Sequence, residues 1–381
     1  MLEEQIQMVD LHGQYLRFKE EIDEAMQAVI DSCAFINGPQ VKSFAGHLAD
    51  YLQVPYVIPC GNGTDALQIA LMALELQPGD EVILPAFTYI AAAEVVALLG
   101  LTPVLVDVDP RSFNIDPRKI EAAVSGRTKA IVAVHLFGQS CDMEPIMALA
   151  DAYHLYVVED NAQSIGADYT FSDGRVRKAG TIGHIGTTSF FPSKPLACYG
   201  DGGALMTSDE VLAVRIRMIA NHGQECKYHH RWIGCNSRLD TLQAAVLDVK
   251  LKHLGEFTET RRQVASRYDD ALSSCDSLVL PARSTFSTHV YHQYTVQVKD
   301  GRRNVLQCLL KERGIPSMIY YPVSGSLSAY LPCIRQFGRL HPFVRIRPFP
   351  AYSYGNVPRT TAIYNRNSKK GGVSKLSCSR A

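Results

Sequence analysis

The sequence lacks a hydrophobic run long enough to cross a membrane. No apolar stretch among its 381 residues approaches the roughly 18 to 20 that a span requires. The opening residues, MLEEQIQMVDLHGQY, have no apolar core of the kind found in a signal peptide. The ten cysteines include no CxxC pair, which argues against a zinc ribbon or a redox motif, and no metal site is predicted. We therefore expect reduced thiols, a cytoplasmic location and no membrane partner.

Acidic residues are missing from the C-terminal end. None follows Glu312, whereas residues 324–381 contain ten Lys or Arg, which leaves 28 basic and 38 acidic residues before them. A basic tail is a feature of nucleic-acid-binding proteins. The acidic body argues against such a protein, so no nucleic-acid partner is expected.

What the sequence does contain is an alternation of short apolar runs and amphipathic segments. Strands are predicted at 54–60, 80–86, 102–108, 128–136 and 155–160, with helical segments between them. The runs are rich in Val and Ile and almost continuously apolar, as strands buried on both faces of a parallel sheet must be. The alternation predicts an α/β doubly wound domain with right-handed crossovers.

The pattern becomes mixed in the last third of the chain. A helical region covers about 239–274, and strands are predicted at 289–298 and 315–323 on either side of another helix. This pattern favours a second, smaller domain of the α+β class. We predict a large domain over 1–250 and a small C-terminal domain over 251–381.

Three segments carry candidate chemistry, and each has a plainer alternative. GNGTDALQIAL (61–71) joins a strand to a helix, where accessible N–H groups can bind a phosphate; the alternative is an ordinary helix cap by Thr64. Asp160 ends a strand, the edge at which open α/β sheets bind ligands; the alternative is a loop acid or helix cap. Lys194 lies between aromatic residues and a Gly-rich turn and is a candidate for Schiff-base chemistry; the alternative is a solvated loop lysine.

The three segments together make a more specific pattern than any one of them. A lysine can hold the aldehyde of pyridoxal phosphate as an imine, an aspartate can pair with the protonated pyridine nitrogen, and a cradle of N–H groups can fix the phosphate. The predicted cofactor is therefore pyridoxal 5'-phosphate.

Six motifs occur in order over residues 1 to about 323. They are GNGTDALQIAL, PAFTYIAAAE, VDVDP, VVEDNAQSIGA, TSFFPSKPLACYGDGGA and NSRLDTLQAA. With these motifs the sequence resembles the sugar aminotransferases of the DegT/DnrJ/EryC1/StrS family. The resemblance implies the α/β fold-type I architecture, with a three-layer α/β/α large domain, a mostly parallel sheet and a smaller α+β domain. It also implies a homodimer with shared active sites.

The resemblance assigns roles to individual residues. Lys194 is the Schiff-base lysine and the catalytic base, Asp160 pairs with the pyridine nitrogen, and Gln163 lies near the ring and its 3′-oxygen. Tyr89 stacks on the ring, the alternative being a core aromatic. The phosphate is held by Gly63, Thr64, Asp65 and Ser189 of one subunit and by Asn236 of the other. The substrate side is formed by Arg238, His229, His230, Tyr320 and Tyr321; a structural salt bridge is the alternative for Arg238, and ordinary surface positions for the histidines.

The implied substrate is a nucleotide sugar. FFPSKPLACYGDGG, NHGQECKYHH and NSRLDTLQAAVL resemble the branch of the family that acts on UDP-2-acetamido-2-deoxy-3-oxo-glucuronate in bacterial surface polysaccharide (lipopolysaccharide O-antigen) biosynthesis. L-glutamate is the implied amino donor. Two alternatives stay open: a C4 aminotransferase acting on a nucleotide 4-keto-6-deoxy sugar, and, from another class, a non-catalytic regulator that binds the cofactor.

Residues 324–381 depart from the family pattern. This segment has no acidic residue and little helical periodicity, whereas the family normally ends in an amphipathic helix with acidic residues. We hypothesise a shifted reading frame from about Ser324 onward, and the alternative is a lineage-specific basic tail.

Overall fold

Eleven α-helices lie within the part of the chain that the structure describes. The structure is a computed structural model, and it describes residues 6–322 together with the backbone of 339–340 and 353–356. The helices are α1 (Leu11–Arg17), α2 (Lys19–Ser32), α3 (Pro39–Leu52), α4 (Gly63–Ala73), α5 (Ala91–Leu98), α6 (Pro117–Ala123), α7 (Met143–Tyr153), α8 (Glu210–Ala220), α9 (Thr241–Leu251), α10 (Leu254–Leu272) and α11 (Arg303–Glu312), and a 3₁₀ turn covers Leu136–Gly138.

The strands form one large sheet and three small ones. They are β1 (Tyr56–Cys60), β2 (Glu81–Pro85), β3 (Thr102–Val106), β4 (Thr128–Val134), β5 (Tyr156–Asp160), β6 (Asp168–Thr170), β7 (Val176–Lys178), β8 (Ile185–Ser189), β9 (Gly203–Thr207), β10 (Gln224–Cys226), β11 (His229–His230), β12 (Leu278–Val279), β13 (Thr295–Val298), β14 (Arg339–Leu340) and β15 (Ser353–Asn356). The large sheet has the order β1-β9-β8-β5-β4-β2-β3-β14. Its strands from β8 to β14 are parallel, and β9 and β1 are antiparallel to their neighbours.

Helices cover both faces of the large sheet. Successive side chains of a strand point to opposite faces, so neighbouring residues of one strand pack against different helices. In β2, Val82 and Leu84 pack with the buried residues of α4 and α5, whereas Ile83 packs with those of α6 and α7. In β5, Val158 and Val157 divide in the same way. This arrangement confirms the predicted three-layer α/β/α fold with a mostly parallel sheet.

The central strands were easier to predict than the segments around them. Strands β1 to β5 fall within the predicted runs, and the long helical region of 239–274 is two helices, α9 and α10. The predicted strand at 289–298 is wrong for its first half. There, the N–H groups of Val290 and Gln293 donate to Gly138 O and Phe137 O, so this segment is held by the 3₁₀ turn and only β13 remains extended in a sheet.

The strand predicted at 315–323 is also absent as far as Pro322, where the description of this segment ends. Tyr320 packs on Phe137 with ring centroids 5.9 Å apart, and Tyr321 packs on Phe87 at 5.4 Å. Within the described residues the segment has a single β-bridge position, Ile319, and contact between aromatic rings attaches it beside the large sheet.

The C-terminal segment and the absence of a membrane span are the two remaining expectations from the sequence. The hypothesis about residues 324–381 falls almost entirely outside the described residues. Across the described ones, no helix has both the length and the apolar character that a membrane crossing requires.

Candidate active site

The phosphate cradle is the junction between β1 and α4. Asn62 caps α4, because its side-chain oxygen accepts the N–H of Asp65 at 2.8 Å, so the cap is not Thr64. Within the described part of the chain the N–H groups of Gly63 and Thr64 have no acceptor. Such orphan donors at the positive end of a helix dipole fit a phosphate group.

The wall of this cradle is Ser189, the last residue of β8. A Cβ on Gly63 would lie 2.7 Å from Ser189 Cβ, so the glycine is required by this close approach. Ser189 thus lies beside the orphan N–H groups, where a hydroxyl can donate to the same phosphate. The structure brings Gly63, Thr64 and Ser189 together as the sequence predicts. Asp65 lies beside them, but its N–H donates to Asn62 and its carboxylate accepts from Ser237, so it offers no donor to the phosphate.

Asp160 and Lys194 face the same space at the carboxyl edge of the sheet. Asp160 ends β5, between β4 and β8, and its Oδ1 accepts the N–H of Ala162 at 3.1 Å. Burial raises the pKa of Asp160, while the N–H of Ala162 and the positive charge of Lys194 oppose that shift. A desolvated carboxylate beside a lysine fits a cofactor that has a cationic ring nitrogen and an aldehyde. The carboxylate can pair with the nitrogen, and the lysine amine can bind the aldehyde carbon.

A second carboxylate, Glu159, fixes the strand that carries Asp160. Its Oε1 accepts the N–H groups of Ile182 and Gly183, both at 2.6 Å, and its Oε2 accepts the N–H of Gly180 at 2.9 Å and Nε2–H of His135 at 2.8 Å. Burial acts to raise the pKa of Glu159, but these hydrogen bonds outweigh it and the pKa is lowered.

The tautomer of His135 follows from its other ring nitrogen. Nδ1 accepts the N–H of Cys141 at 3.0 Å, so the ring proton lies on Nε2 and is donated to Glu159. This pair is not among the residues predicted from the sequence. The only signal was a histidine and a glutamate at the ends of neighbouring apolar runs.

The ring side of the site contains Gln163, Tyr89 and Tyr321. Gln163 is buried, and its Oε1 accepts the N–H of Phe137 at 2.7 Å. Burial raises the pKa of Tyr321, and the nearby Asp160 and Tyr89 add to that increase while a hydrogen bond with Gln163 opposes it. The side chains of Gln163, Tyr89, Tyr321 and Asp160 are therefore grouped around one space. The ring of Tyr89 is largely exposed, which excludes the alternative of a core aromatic.

Four predicted residues lie outside this group in the single chain. Asn236 is exposed, and His229 and His230 are exposed on the β10–β11 hairpin, where His230 Nδ1 contacts His222 O at 2.9 Å. Among residues 6–322, no hydrogen bond or ion pair joins the two histidines to the cradle. Arg238 is half-buried and has no carboxylate within salt-bridge distance among the same residues, so the structural salt bridge is not supported.

A phosphate cradle, a strand-end carboxylate and a lysine at one edge of the central sheet fit the cofactor site of a fold-type I, pyridoxal-phosphate-dependent enzyme. The chain belongs to the DegT/DnrJ/EryC1/StrS aminotransferase family, whose sequence profile matches residues 17–332.

Individual relatives cover most of the chain. It is 48% identical over 318 residues to the UDP-2-acetamido-2-deoxy-3-oxo-D-glucuronate aminotransferase of Pseudomonas aeruginosa, across 84% of this chain and 86% of that protein. It is 47% identical over 320 residues to the pleiotropic regulatory protein of Geobacillus stearothermophilus, across 84% of each chain. A crystal structure of a DegT DnrJ EryC1 StrS aminotransferase from Brucella abortus has a TM-score of 0.86 and 39% identity, covering 93% of this chain and 94% of that one.

Proposed function

We propose that this enzyme transfers the amino group of L-glutamate to the 3-keto carbon of a UDP-linked sugar of the 2-acetamido-2-deoxy-3-oxo-glucuronate type. The observation that carries the proposal is the grouping of Asp160 and Lys194 beside the cradle, in a chain 48% identical to a Pseudomonas aeruginosa enzyme named for that substrate. The reaction belongs to bacterial surface polysaccharide synthesis, and we place it in the cytoplasm, where nucleotide sugars are made.

Each site residue has a role in this proposal. Pyridoxal phosphate, when bound, supplies an electron sink for the carbon that exchanges its proton. The amine of Lys194 would hold the cofactor's aldehyde and, once released, would serve as the base that moves a proton on the substrate side. The carboxylate of Asp160 would hold the pyridine nitrogen, and Tyr89 and Gln163 would hold the ring between them.

The proposal includes a homodimer. Tyr228 is 81% exposed and Ile233 is 88% exposed, and both lie in the segment that ends at Asn236. Exposed apolar side chains of this size in one short segment favour burial against another protein surface. A second copy of the chain would cover them and would bring Asn236 to the phosphate in the partner's cradle.

The substrate side follows from charge. The guanidinium of Arg238, without a carboxylate partner among the described residues, suits the carboxylate of a uronate sugar or of glutamate. His229, His230, Tyr320 and Tyr321 complete this side in the proposal. We also propose a boundary between the two domains near residue 250, because α9 packs in the large core while α10 leads away from it.

The test is a spectroscopic titration of the purified enzyme. We expect pyridoxal phosphate to give the absorption band of the lysine-bound cofactor, and L-glutamate to convert that band to the pyridoxamine form. A band that ignores glutamate would contradict the donor assignment and would favour the regulator, whose function a relative's name suggests.

The sugar is tested with a pair of substrates. We expect turnover with the UDP-3-keto-uronate and little with a 4-keto-6-deoxy nucleotide sugar, which has no carboxylate for Arg238. Replacing Arg238 with Gln should reduce kcat/KM for the uronate by about 10- to 100-fold, the value of one charged hydrogen-bonding partner. Preference for the 6-deoxy sugar would instead establish the C4 alternative.

A further inference from the structure

Ser237 connects the cradle to the segment that carries Asn236. Its side chain is 2% exposed, and its Oγ accepts the N–H of Gly61 at 2.8 Å and donates to Asp65 Oδ2 at 2.6 Å. A Cβ on Gly61 would lie only 3.2 Å from that oxygen, so the contact is closely packed. One hydroxyl therefore holds both sides of the cradle.

The two partners of Ser237 flank the N–H groups that we expect to bind the phosphate. Gly61 precedes the orphan N–H groups of Gly63 and Thr64, and Asp65 follows them. The carboxylate of Asp65 competes with a phosphate for the positive end of α4, and the proton of Ser237 satisfies one of its oxygens. The shape and charge of the cradle both depend on this serine.

The same residue fixes the outward segment. The N–H of Ser237 donates to Ala220 O at 3.0 Å, and Asn236 pairs with Asn221 in an isolated bridge. Neighbouring side chains of an extended chain point in opposite directions. Because Ser237 points into its own cradle, Asn236 points away from it and is exposed.

We propose that Ser237 is a positioning residue that couples the two active sites of the dimer. Phosphate binding in one cradle shifts Gly61 and Asp65, Ser237 transmits that shift to the adjacent Asn236 through the hydrogen bonds it makes to both, and Asn236 then binds the phosphate in the partner's cradle more tightly. The inference rests on the proposed dimer, and it predicts positive cooperativity of cofactor binding.

The chain contains its own reporter for this coupling. Trp232 is the single tryptophan, and it lies four residues before Asn236 with the guanidinium of Arg215 5.0 Å from its ring centroid. Inorganic phosphate added to the cofactor-free protein should change the fluorescence of Trp232 if the shift reaches this segment. Because phosphate itself does not absorb, such a change reports on the protein alone. Titration with pyridoxal phosphate, followed by the lysine-bound band, should give a Hill coefficient above one.

The critical variant is Ser237→Ala. We expect affinity for phosphate and cofactor to fall about tenfold, the value of one hydrogen bond to a charged group. The Trp232 response at saturating phosphate should disappear and the Hill coefficient should fall to one. Ser125→Ala is the matched control, because Ser125 also donates to a buried carboxylate, Glu81 Oε2 at 2.5 Å, but at the opposite end of the sheet; it should behave as wild type.

Two further variants keep the outcome decisive. Ser237→Thr keeps the hydroxyl and should restore the response, whereas Ser237→Cys keeps the volume and should lose it even if the alanine variant does not fold. The proposal is overturned if wild type shows no fluorescence response and no cooperativity, or if folded Ser237→Ala and Ser237→Cys keep both. Failure of the glutamate titration with cooperativity intact would contradict the proposed reaction and leave the coupling standing.

Discussion

Replacing Glu159 with Gln tests how strongly its buried hydrogen bonds stabilise the end of the strand that also carries Asp160. The carboxylate accepts four hydrogen bonds, three from backbone N–H groups of the 180–183 turn and one from His135. A glutamine presents one oxygen and one NH₂ group, so one pair of donors must face another donor. His135 cannot resolve the conflict by changing tautomer, because a proton on Nδ1 would then face the N–H of Cys141.

The expected loss can be worked out from these contacts. Two hydrogen bonds to a charged, fully buried group are replaced by opposed donors, at about 1.5 to 3 kcal/mol each. We therefore expect the free energy of unfolding to fall by about 3 to 6 kcal/mol, a large part of the total for a typical protein. Because the folded pKa of Glu159 lies below its ordinary value of 4.5, the difference should be complete above that pH and should shrink as the pH falls through the folded pKa.

The assay is urea denaturation of the cofactor-free protein, with the shift in midpoint as the readout. Glu81→Gln is the matched control: Glu81 is equally buried, but its partners include a rotatable hydroxyl, Ser125, and a half-exposed Arg127 that can keep a carbonyl oxygen. Its loss should be about 1 kcal/mol. Equal losses in the two variants would refute the account of Glu159 as a specifically held carboxylate.

Two more substitutions follow from close packing and burial. Gly63→Ala should weaken cofactor binding at least tenfold in an absorbance titration, because the new Cβ meets Ser189. Gly46→Ala, on the exposed side of α3, is the control, because its Cβ meets nothing within 4 Å. It should leave cofactor binding unchanged and raise the free energy of unfolding by about 1 kcal/mol. Lys250→Met should raise the free energy of unfolding by about 1 to 2 kcal/mol at pH 7. Lys250 is 1% exposed, and its Nζ has no hydrogen-bond acceptor among the described residues. The ring of Tyr199, with its centroid 4.2 Å from Nζ, offsets only part of the cost of burying this charge. Burial lowers the pKa of Lys250 to about 8 from 10.5, so wild type should gain stability between these pH values and the advantage of Met should shrink there; an advantage independent of pH would contradict this origin.

The residues that a local motif could reveal are those at strand ends. Asp160 and the 61–71 segment each follow a predicted strand, and the carboxyl ends of parallel strands meet at one edge of a sheet. Their convergence was therefore predictable once the alternation of strands and helices was known. The role proposed for Lys194 rests on the family resemblance as well, because Lys194 lies in a loop whose path no periodicity predicts.

Other features depend on choices that the sequence leaves open. Asn62 and Thr64 are both good helix caps, and the structure selects Asn62 because its backbone is extended, with φ −169° and ψ 175°, immediately before the first helical residue. Ser237 contacts partners 176 and 172 residues away, and the Glu159–His135 pair joins a residue of β5 to the residue that follows β4, 24 positions apart. Such contacts follow from tertiary packing, which no local pattern specifies.

The wrong strand at 315–323 shows how tertiary packing can override an apolar pattern and serve the site at once. Gln163 accepts the N–H of Phe137, and the ring of Phe137 packs against Tyr320. The 3₁₀ turn that contains Phe137 therefore contacts both Gln163 and the segment that carries Tyr320. Because Tyr321 also lies close enough to Asp160 and Tyr89 for their charges to affect its pKa, a movement of this segment would change the surroundings of the proposed cofactor site. Apolar side chains that would fill one face of a strand instead attach the segment to the catalytic edge of the sheet.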